Sequence, residues 1–396
     1  GFKQSKFSKV IACLIIAVMV LTAVPANYAF ADTDAHGVDR EWYNFRNNQE
    51  NNGVTDRTTP TSIDETALKW DGKYGTGWAA APTPPLILND KVYIGMGNKV
   101  LELDKETGKK LRESDAMAAN VGFAMNPILY ADGGLFVQVG NGIIQKIDLD
   151  TLTVSWQTAK VGGQTLCPIS HVTVDGTGYI YTGTWNRENA DGRYMCFTTD
   201  DEGVITDENG KKIKAATWQF VPSGSTKDTE TITYDKELNA TLETEGNVAK
   251  RGFYWAGCYA TENYIAVGSD DGTSEGDYSA NAVFYTLNPV TGEVIDRIDQ
   301  IKGDIRTTTV YNNGYLYFST KGGHMYKVSV DADGNLGEPS YIDLGGMTTA
   351  APLVYKNKIY IGVCGPGGQF DPDGGHSFAV VDNSGALSQD SKLYSL

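Results

Sequence analysis

Three stretches of this chain concentrate side chains suited to gripping a ligand. Residues 184–192 hold Trp185, Asn186 and Arg187, residues 270–278 hold Asp270, Asp271, Glu275 and Asp277, and residues 365–376 hold Asp371, Asp373 and His376. Trp78, Trp255 and Arg306 stand in separate segments. Aromatic rings stack on a sugar or peptide while neighbouring amides, carboxylates and guanidiniums supply directional hydrogen bonds, so these residues form the candidate ligand-binding set. The carboxylates are hard oxygen donors that suit calcium, but no EF-hand spacing organises them and no metal site is assigned.

Other chemistry finds less support. His36, His171, His324 and His376 form no His-x-x-x-His pair. Cys167, Cys196, Cys258 and Cys364 form no CxxC pattern, so a thiol-redox motif, a cysteine-rich zinc site and a c-type haem attachment lack a basis. Acid pairs abound among 49 Asp and Glu, and none stands out by spacing. No catalytic residue is assigned, and no cofactor is expected.

The elements that must position the candidate residues follow one frame. A turn leads into a strand of the form apolar-aromatic-apolar-Gly, with the aromatic position at Tyr93, Phe136, Tyr181, Ala266, Tyr317 and Tyr360. The intervals are 43, 45, 85, 51 and 43 residues. Turn residues such as Asn89-Asp90, Asp132-Gly133-Gly134 and Asn312-Asn313-Gly314 precede these strands, and Asn126-Pro127, Cys167-Pro168 and Ala351-Pro352 stand upstream of them. Short strands repeated at this period cannot cover their own apolar faces and must stack on neighbours. The pattern predicts an all-β fold, a β-propeller of four-stranded antiparallel blades with six blades visible.

The long interval marks an expanded third blade with residues 222–250 as a polar insertion. The connection between second and third strands is roughly seven to ten residues longer in blades three, four and six than in the others. Those longer loops carry the candidate residues, and they open on the face of the interblade links that hold Trp78, Trp255 and Arg306. Cys167 and Cys258 begin adjacent blades near the axis, so a disulfide between them is possible if their Cα atoms reach about 4.4–6.8 Å.

Composition agrees with strands and tight turns: 45 of 396 residues are Gly, and 22 are Tyr. A net charge of −16 argues against a nucleic-acid partner or an anionic lipid surface. Lys3, Lys6 and Lys9 precede an apolar run over residues 10–24, and Ala29-Phe30-Ala31 ends it, so residues 1–31 read as a secretory signal peptide. Residues 32–66 form a lead-in and 67–396 the propeller, with no membrane span in the mature chain. The expected location is secreted or extracytoplasmic, at the cell surface.

The run Leu103-Asp104-Lys105-Glu106-Thr107-Gly108 resembles the "ALDxxTGxxxW" stretch of pyrroloquinoline-quinone-like (PQQ-like) propeller repeats. Weaker copies are residues 147–156, Leu287-Asn288-Pro289-Val290-Thr291-Gly292 and Val381-Asp382-Asn383-Ser384-Gly385. Trp42-Tyr43-Asn44-Phe45-Arg46 resembles the lead-in of exported members of that group. The resemblance implies the fold. It also implies an alternative activity, a PQQ-dependent alcohol or sugar dehydrogenase using calcium, but the adjacent cysteine pair of many such enzymes is missing and no catalytic residue carries over. The primary reading is a non-catalytic binding or scaffold module for a protein or glycan partner. Ala67-Leu68-Lys69-Trp70 reads as the outer strand of a final blade, whereas residues 391–396 already serve blade six. At least a seventh blade beyond Leu396 is therefore expected, seven or eight in the intact protein.

Overall fold

The computed structural model describes residues 33–55, 57–74, 82–121, 126–159, 167–184, 192–220, 222, 232–234, 240–242, 252–271, 281–364 and 375–395. Six antiparallel sheets follow one another along the chain, each built from four consecutive repeat strands. Sheet one contains Leu86–Leu88, Lys91–Met96, Lys99–Asp104 and Lys110–Glu113; sheet two contains Leu129–Ala131, Gly134–Val139, Ile143–Asp148 and Val154–Thr158. Sheet three is Ser170–Val174, Thr177–Thr184, Arg193–Thr198 and Trp218–Phe220, and sheet four is Tyr259–Ala260, Ile265–Gly268, Asn281–Leu287 and Val294–Lys302. Sheet five is Val310–Asn312, Tyr315–Ser319, His324–Ser329 and Ser340–Asp343, and sheet six is Leu353–Tyr355, Lys358–Val363, Ser377–Asp382 and Lys392–Ser395. All six aromatic-position residues fall in second strands, as the frame requires.

Alternation along each strand gives each sheet two apolar faces, and adjacent sheets share cores. One core joins sheets one and two through Tyr93, Tyr130 and Val137; the next joins two and three through Phe136, Trp156 and Ile180. Tyr181, Phe220 and Tyr285 lie between three and four, Phe284 and Phe318 between four and five, and Tyr317 and Ile361 between five and six. Six sheets thus share five cores. The outward face of sheet one instead packs Val92, Ile94 and Leu103 under Trp70 and Tyr74.

The turns behave as their sequence dictates. Asp104 Oδ1 accepts from the backbone N–H of Glu106 and Thr107, and Asn288 Oδ1 from those of Val290 and Thr291. Gly108 and Gly292 follow at φ +70° and +75°, the left-handed region that costs glycine nothing.

Two expectations change in the structure. Among the described residues Ala67–Trp70 pairs with no strand; it lies across sheet one, where Trp70 Nε1 donates to the Lys105 carbonyl at 2.8 Å. The expansion of the third repeat also begins before residue 222. A hairpin of Val204–Thr206 and Lys212–Lys214 leaves sheet three and adds to the outer edge of sheet two, its second strand running parallel to Val154–Thr158. Lys214 anchors it: the buried ammonium donates to Thr198 Oγ1 and to the carbonyls of Asp200 and Glu202, satisfying a charge that isolated burial would penalise. Within 222–250, Ile232–Tyr234 and Ala240–Leu242 form a separate hairpin.

Cys167 and Cys258 share the core between sheets three and four, as expected, but both thiols are free there. Burial pushes the Cys258 thiol up to about 11 and raises Cys167 and Cys196 well above the usual thiol range. At pH 8 the native protein lacking residues 1–31 should therefore give one thiol to Ellman's reagent, the partly exposed Cys364, and four after denaturation. Two thiols in denaturant would mean that Cys167 and Cys258 are bonded.

Candidate functional site

The N-terminal segment runs along the axis of the molecule and hydrogen-bonds to all six sheets. Arg40–Trp42 pairs antiparallel with the innermost strand of sheet one, and the Tyr43 carbonyl accepts from Tyr130 N–H of sheet two. Gln49 Nε2 donates to the carbonyls of His171 in sheet three and Ala260 in sheet four. Asn51 Nδ2 donates to those of Cys258 and Thr309, each at 3.0 Å, and the Glu50 carbonyl accepts from Tyr311 N–H of sheet five. Arg46 reaches the carbonyls of Ala351 and Pro352 at the start of sheet six, both at 2.6 Å. Side-chain amides suit this task because each carries two donors and can serve two strand ends at once. Arg46, Asn47 and Asn51 adopt φ of +54°, +62° and +56°, so the segment turns sharply among the inner strands.

This segment, the plug, lines two pockets. On one side Arg40, Tyr43, Gln49 and His171 border a cavity of about 430 Å³. On the other, at the interblade links, Phe45 and Arg46 floor a cavity of about 510 Å³ whose wall includes Asn126, Pro168, Trp255, Arg306, Thr308 and Ala351. The second lies on the face where the long loops were expected.

Four sequence-predicted residues meet beside that pocket. Arg306 donates through both Nε and Nη2 to Asp304 Oδ2, at 2.9 and 2.8 Å, with both side chains nearly buried. Its guanidinium lies 4.1 Å from the Tyr254 ring centroid, and Tyr254 stacks on Trp255 at 4.6 Å. Asp271 N–H donates to Asp304 Oδ1, and Asp270 Oδ2 accepts from Gly252 N–H. Asp270 and Asp271, expected on a rim loop, are 4% and 6% exposed, and the bonds of the Asp270 carboxylate and the Asp271 N–H tie them to the interblade links. Trp255 sits at φ +58°, a conformation bulky residues rarely adopt, held there by this packing. His376 is exposed at the start of the third strand of sheet six, apart from this group. Trp78, Trp185, Asn186, Arg187, Glu275, Asp277, Asp371 and Asp373 lie outside the described residues.

Sequence reasoning missed Arg46, Asn126 and Asp304. Arg46 is the electrostatic centre of the pocket. Its partners are backbone carbonyls, those of Ala351, Pro352 and Asn51, and among the described residues no carboxylate pairs with it. Burial accordingly lowers the guanidinium to about 10. Arg306 differs, because Asp304 neutralises it locally.

Among solved structures, a europium-containing methanol dehydrogenase superposes with a TM-score of 0.60 at 12% identity, over 90% of this chain and 78% of that one. The fold is that of a PQQ-like β-propeller. A quinohemoprotein alcohol dehydrogenase from Comamonas testosteroni aligns at 0.45 and 11% identity, over 80% of this chain and 61% of that chain. BamB from Moraxella catarrhalis aligns at 0.34 and 17%, over 69% and 76%. No family model and no curated protein matches the chain. At such identities the propeller likeness extends to the backbone and transfers no residue.

A calcium-bound quinone of the kind this fold often carries needs carboxylate oxygens turned towards it. Beside the axial pocket, Asp304 is committed to Arg306 and Asp270 to Gly252 N–H, and among the described residues no three His, Cys, Asp or Glu side chains converge. The described residues do not form that donor set.

Proposed function

We propose that this PQQ-like propeller, of seven or eight blades in the intact protein, is an extracytoplasmic, non-catalytic binding or scaffold module. It takes a carboxylate-bearing segment of a protein partner into the axial pocket. The observation that carries this reading is the Arg46 guanidinium, part-buried at the pocket floor, whose hydrogen-bond partners among the described residues are all backbone carbonyls. An incoming carboxylate would supply a counter-charge through charge-assisted hydrogen bonds, and beside a part-buried guanidinium such a pair is worth more than on the open surface. The Tyr254–Trp255 stack beside Arg306 offers an aromatic wall for the flanking peptide. The net charge of −16 opposes approach of an acidic partner over long distances, so encounter should quicken as salt rises to physiological strength.

The test is thermal stabilisation by N-acetylglutamate amide, with N-acetylglutamine amide as the neutral control. The glutamate compound should raise the melting temperature of the wild type and leave Arg46→Gln unmoved; equal shifts from both compounds, or an unchanged shift in the variant, refute the reading. A bound chromophore and dye-linked alcohol oxidation after addition of quinone and calcium would replace it with the dehydrogenase alternative.

A further inference from the structure

Across each sheet, a row of paired residues runs from the repeat's aromatic position through the third strand to the outer strand. In sheets one to five that row ends on Arg112, Trp156, Trp218, Asp296 and Ser340. Trp218 shows what the position does. Its Nε1 donates to the carbonyl of Pro289 in the turn of sheet four, and its indole fills the space where Gly292 lacks a Cβ. Trp70 meets the turn of sheet one in the same way, with Nε1 on the Lys105 carbonyl and the indole against Gly108. Arg112 reaches the carbonyls of Leu149 and Asp150 in the turn of sheet two, and where Asp296 is short, Tyr264 stands over Gly334 of sheet five.

Between sheets five and six the position falls to a serine. Ser340 Oγ accepts from Leu387 N–H at 2.9 Å, and Gly385 in the turn of sheet six has nothing within 4 Å of where a Cβ would stand. A cavity of about 440 Å³ opens there, on the face opposite the interblade links. Lys327, 6% exposed, takes over the indole's bond: its ammonium donates to the carbonyls of Asn383 and Gly385 at 3.3 and 2.8 Å and lies 4.4 Å from the Tyr315 ring centroid. Among the described residues no carboxylate pairs with it. Burial holds its pKa below the ordinary lysine value, and Asp382 offsets that only in part. The remaining wall is rich in hydroxyls and amides, from Ser329, Ser384, Asn312, Asn313 and Asn357, with Tyr315 39% exposed beside them. Glu338 and Lys356 add one charge of each sign.

We infer that this cleft binds a uronic acid residue of a saccharide. The sugar carboxylate takes the Lys327 ammonium in a charge-assisted hydrogen bond, and its hydroxyls exchange hydrogen bonds with the serines and asparagines, whose groups both donate and accept. The apolar face of the ring packs on Tyr315, an aromatic with a polar tip of the kind that serves such half-wet sites. An indole from a partner chain fits the cleft less well, because the Asn383 carbonyl it would need already accepts from Lys327 and the polar wall would be left unpaired. A neutral sugar leaves the ammonium without a counter-charge. The cleft shares no lining residue with the axial pocket, so the inference stands apart from what that pocket binds.

The experiment titrates the protein lacking residues 1–31 with methyl glucuronide and methyl glucoside, followed by saturation-transfer NMR. The dissociation constant for the glucuronide should lie roughly tenfold below that for the glucoside. Lys327→Gln keeps a donor for the turn carbonyls and removes the charge, so it should erase that ratio. Ser340→Trp returns an indole to the position and should abolish binding of both sugars, with the far-ultraviolet circular dichroism unchanged. Asn357→Ala, an exposed substitution that leaves the fold alone, should weaken both sugars by about threefold. Arg46→Gln should leave the glucuronide constant as it is. Equal constants for the two sugars, or glucuronide binding that survives Lys327→Gln or a folded Ser340→Trp, overturn the proposal. So does loss of glucuronide binding in Arg46→Gln, which would move the sugar to the axial pocket, or tighter binding of N-acetyltryptophan amide than of the glucuronide, which would give the cleft to an aromatic side chain of a partner protein.

Discussion

A chain starting at residue 56 will lose its cooperative unfolding transition, although it retains all six sheets. The plug supplies hydrogen bonds to the innermost strand or link of every sheet, including paired donors from Gln49, Asn51 and Arg46. Each such bond contributes about 0.5–1.5 kcal/mol net, and each buried carbonyl left without its donor costs about 1–3 kcal/mol. Half a dozen or more together rival the ~5–15 kcal/mol that stabilises a whole domain. Circular dichroism should show retained strand signal with a broad, shallow melt, and adding residues 33–55 as a peptide should restore the transition. A truncated protein melting within a few degrees of the parent would show that interblade cores alone hold the array. Asn51→Ala should reproduce part of the loss, about 1–3 kcal/mol, because the Thr309 carbonyl loses its donor while the Cys258 carbonyl keeps the Ser170 hydroxyl.

The repeats were legible because their signals are local. A turn residue, a period of two and a following glycine all act within ten residues, so six second strands and their aromatic positions could be placed from spacing alone. The plug follows no period. Asn44, Asn47, Asn48, Gln49, Asn51 and Asn52 crowd one short stretch, and that density of side-chain amides was the available sign of a segment meant to bond strand ends. Its partners, however, lie more than 200 residues away in sheets four to six. The site shows the same division. Asn126-Pro127, Cys167-Pro168 and Ala351-Pro352 were visible as a recurring feature of the links, and Asn126, Pro168 and Ala351 do line the axial pocket. Asp270 and Asp271 were legible as an acidic pair before a long loop, but not as buried at the links, because the partners there, Gly252 N–H on the Asp270 carboxylate and the Asp304 carboxylate on Asp271 N–H, come from other segments. Arg46 could not be read as a pocket cation, because the carbonyls of Ala351 and Pro352 that hold it belong to the start of sheet six.

Trp218→Ala will destabilise the chain of residues 32–396 by about 3–5 kcal/mol, the range for emptying a buried tryptophan site. Trp70→Ala, by contrast, will cost about 1–2 kcal/mol, scaled down from that range because its surroundings are not enclosed. The two indoles make the same contacts with the same turn, so hydrogen bonding does not separate them. Removing Trp218 leaves the Pro289 carbonyl with the Tyr181 hydroxyl, at 2.9 Å, as a remaining donor, which makes the cavity the dominant cost. That cavity lies between two sheets that cannot collapse onto it, with Trp218 only 8% exposed. Trp70 is partly exposed at the flank of the array, and water can fill the space it leaves. Urea denaturation of both variants measures the contrast. Equal losses would mean that residues 67–74 are already enclosed and that the outward face of sheet one is finished. A twofold or greater difference would mean that the cavity left by Trp218 stays closed between two sheets while water fills the one left by Trp70.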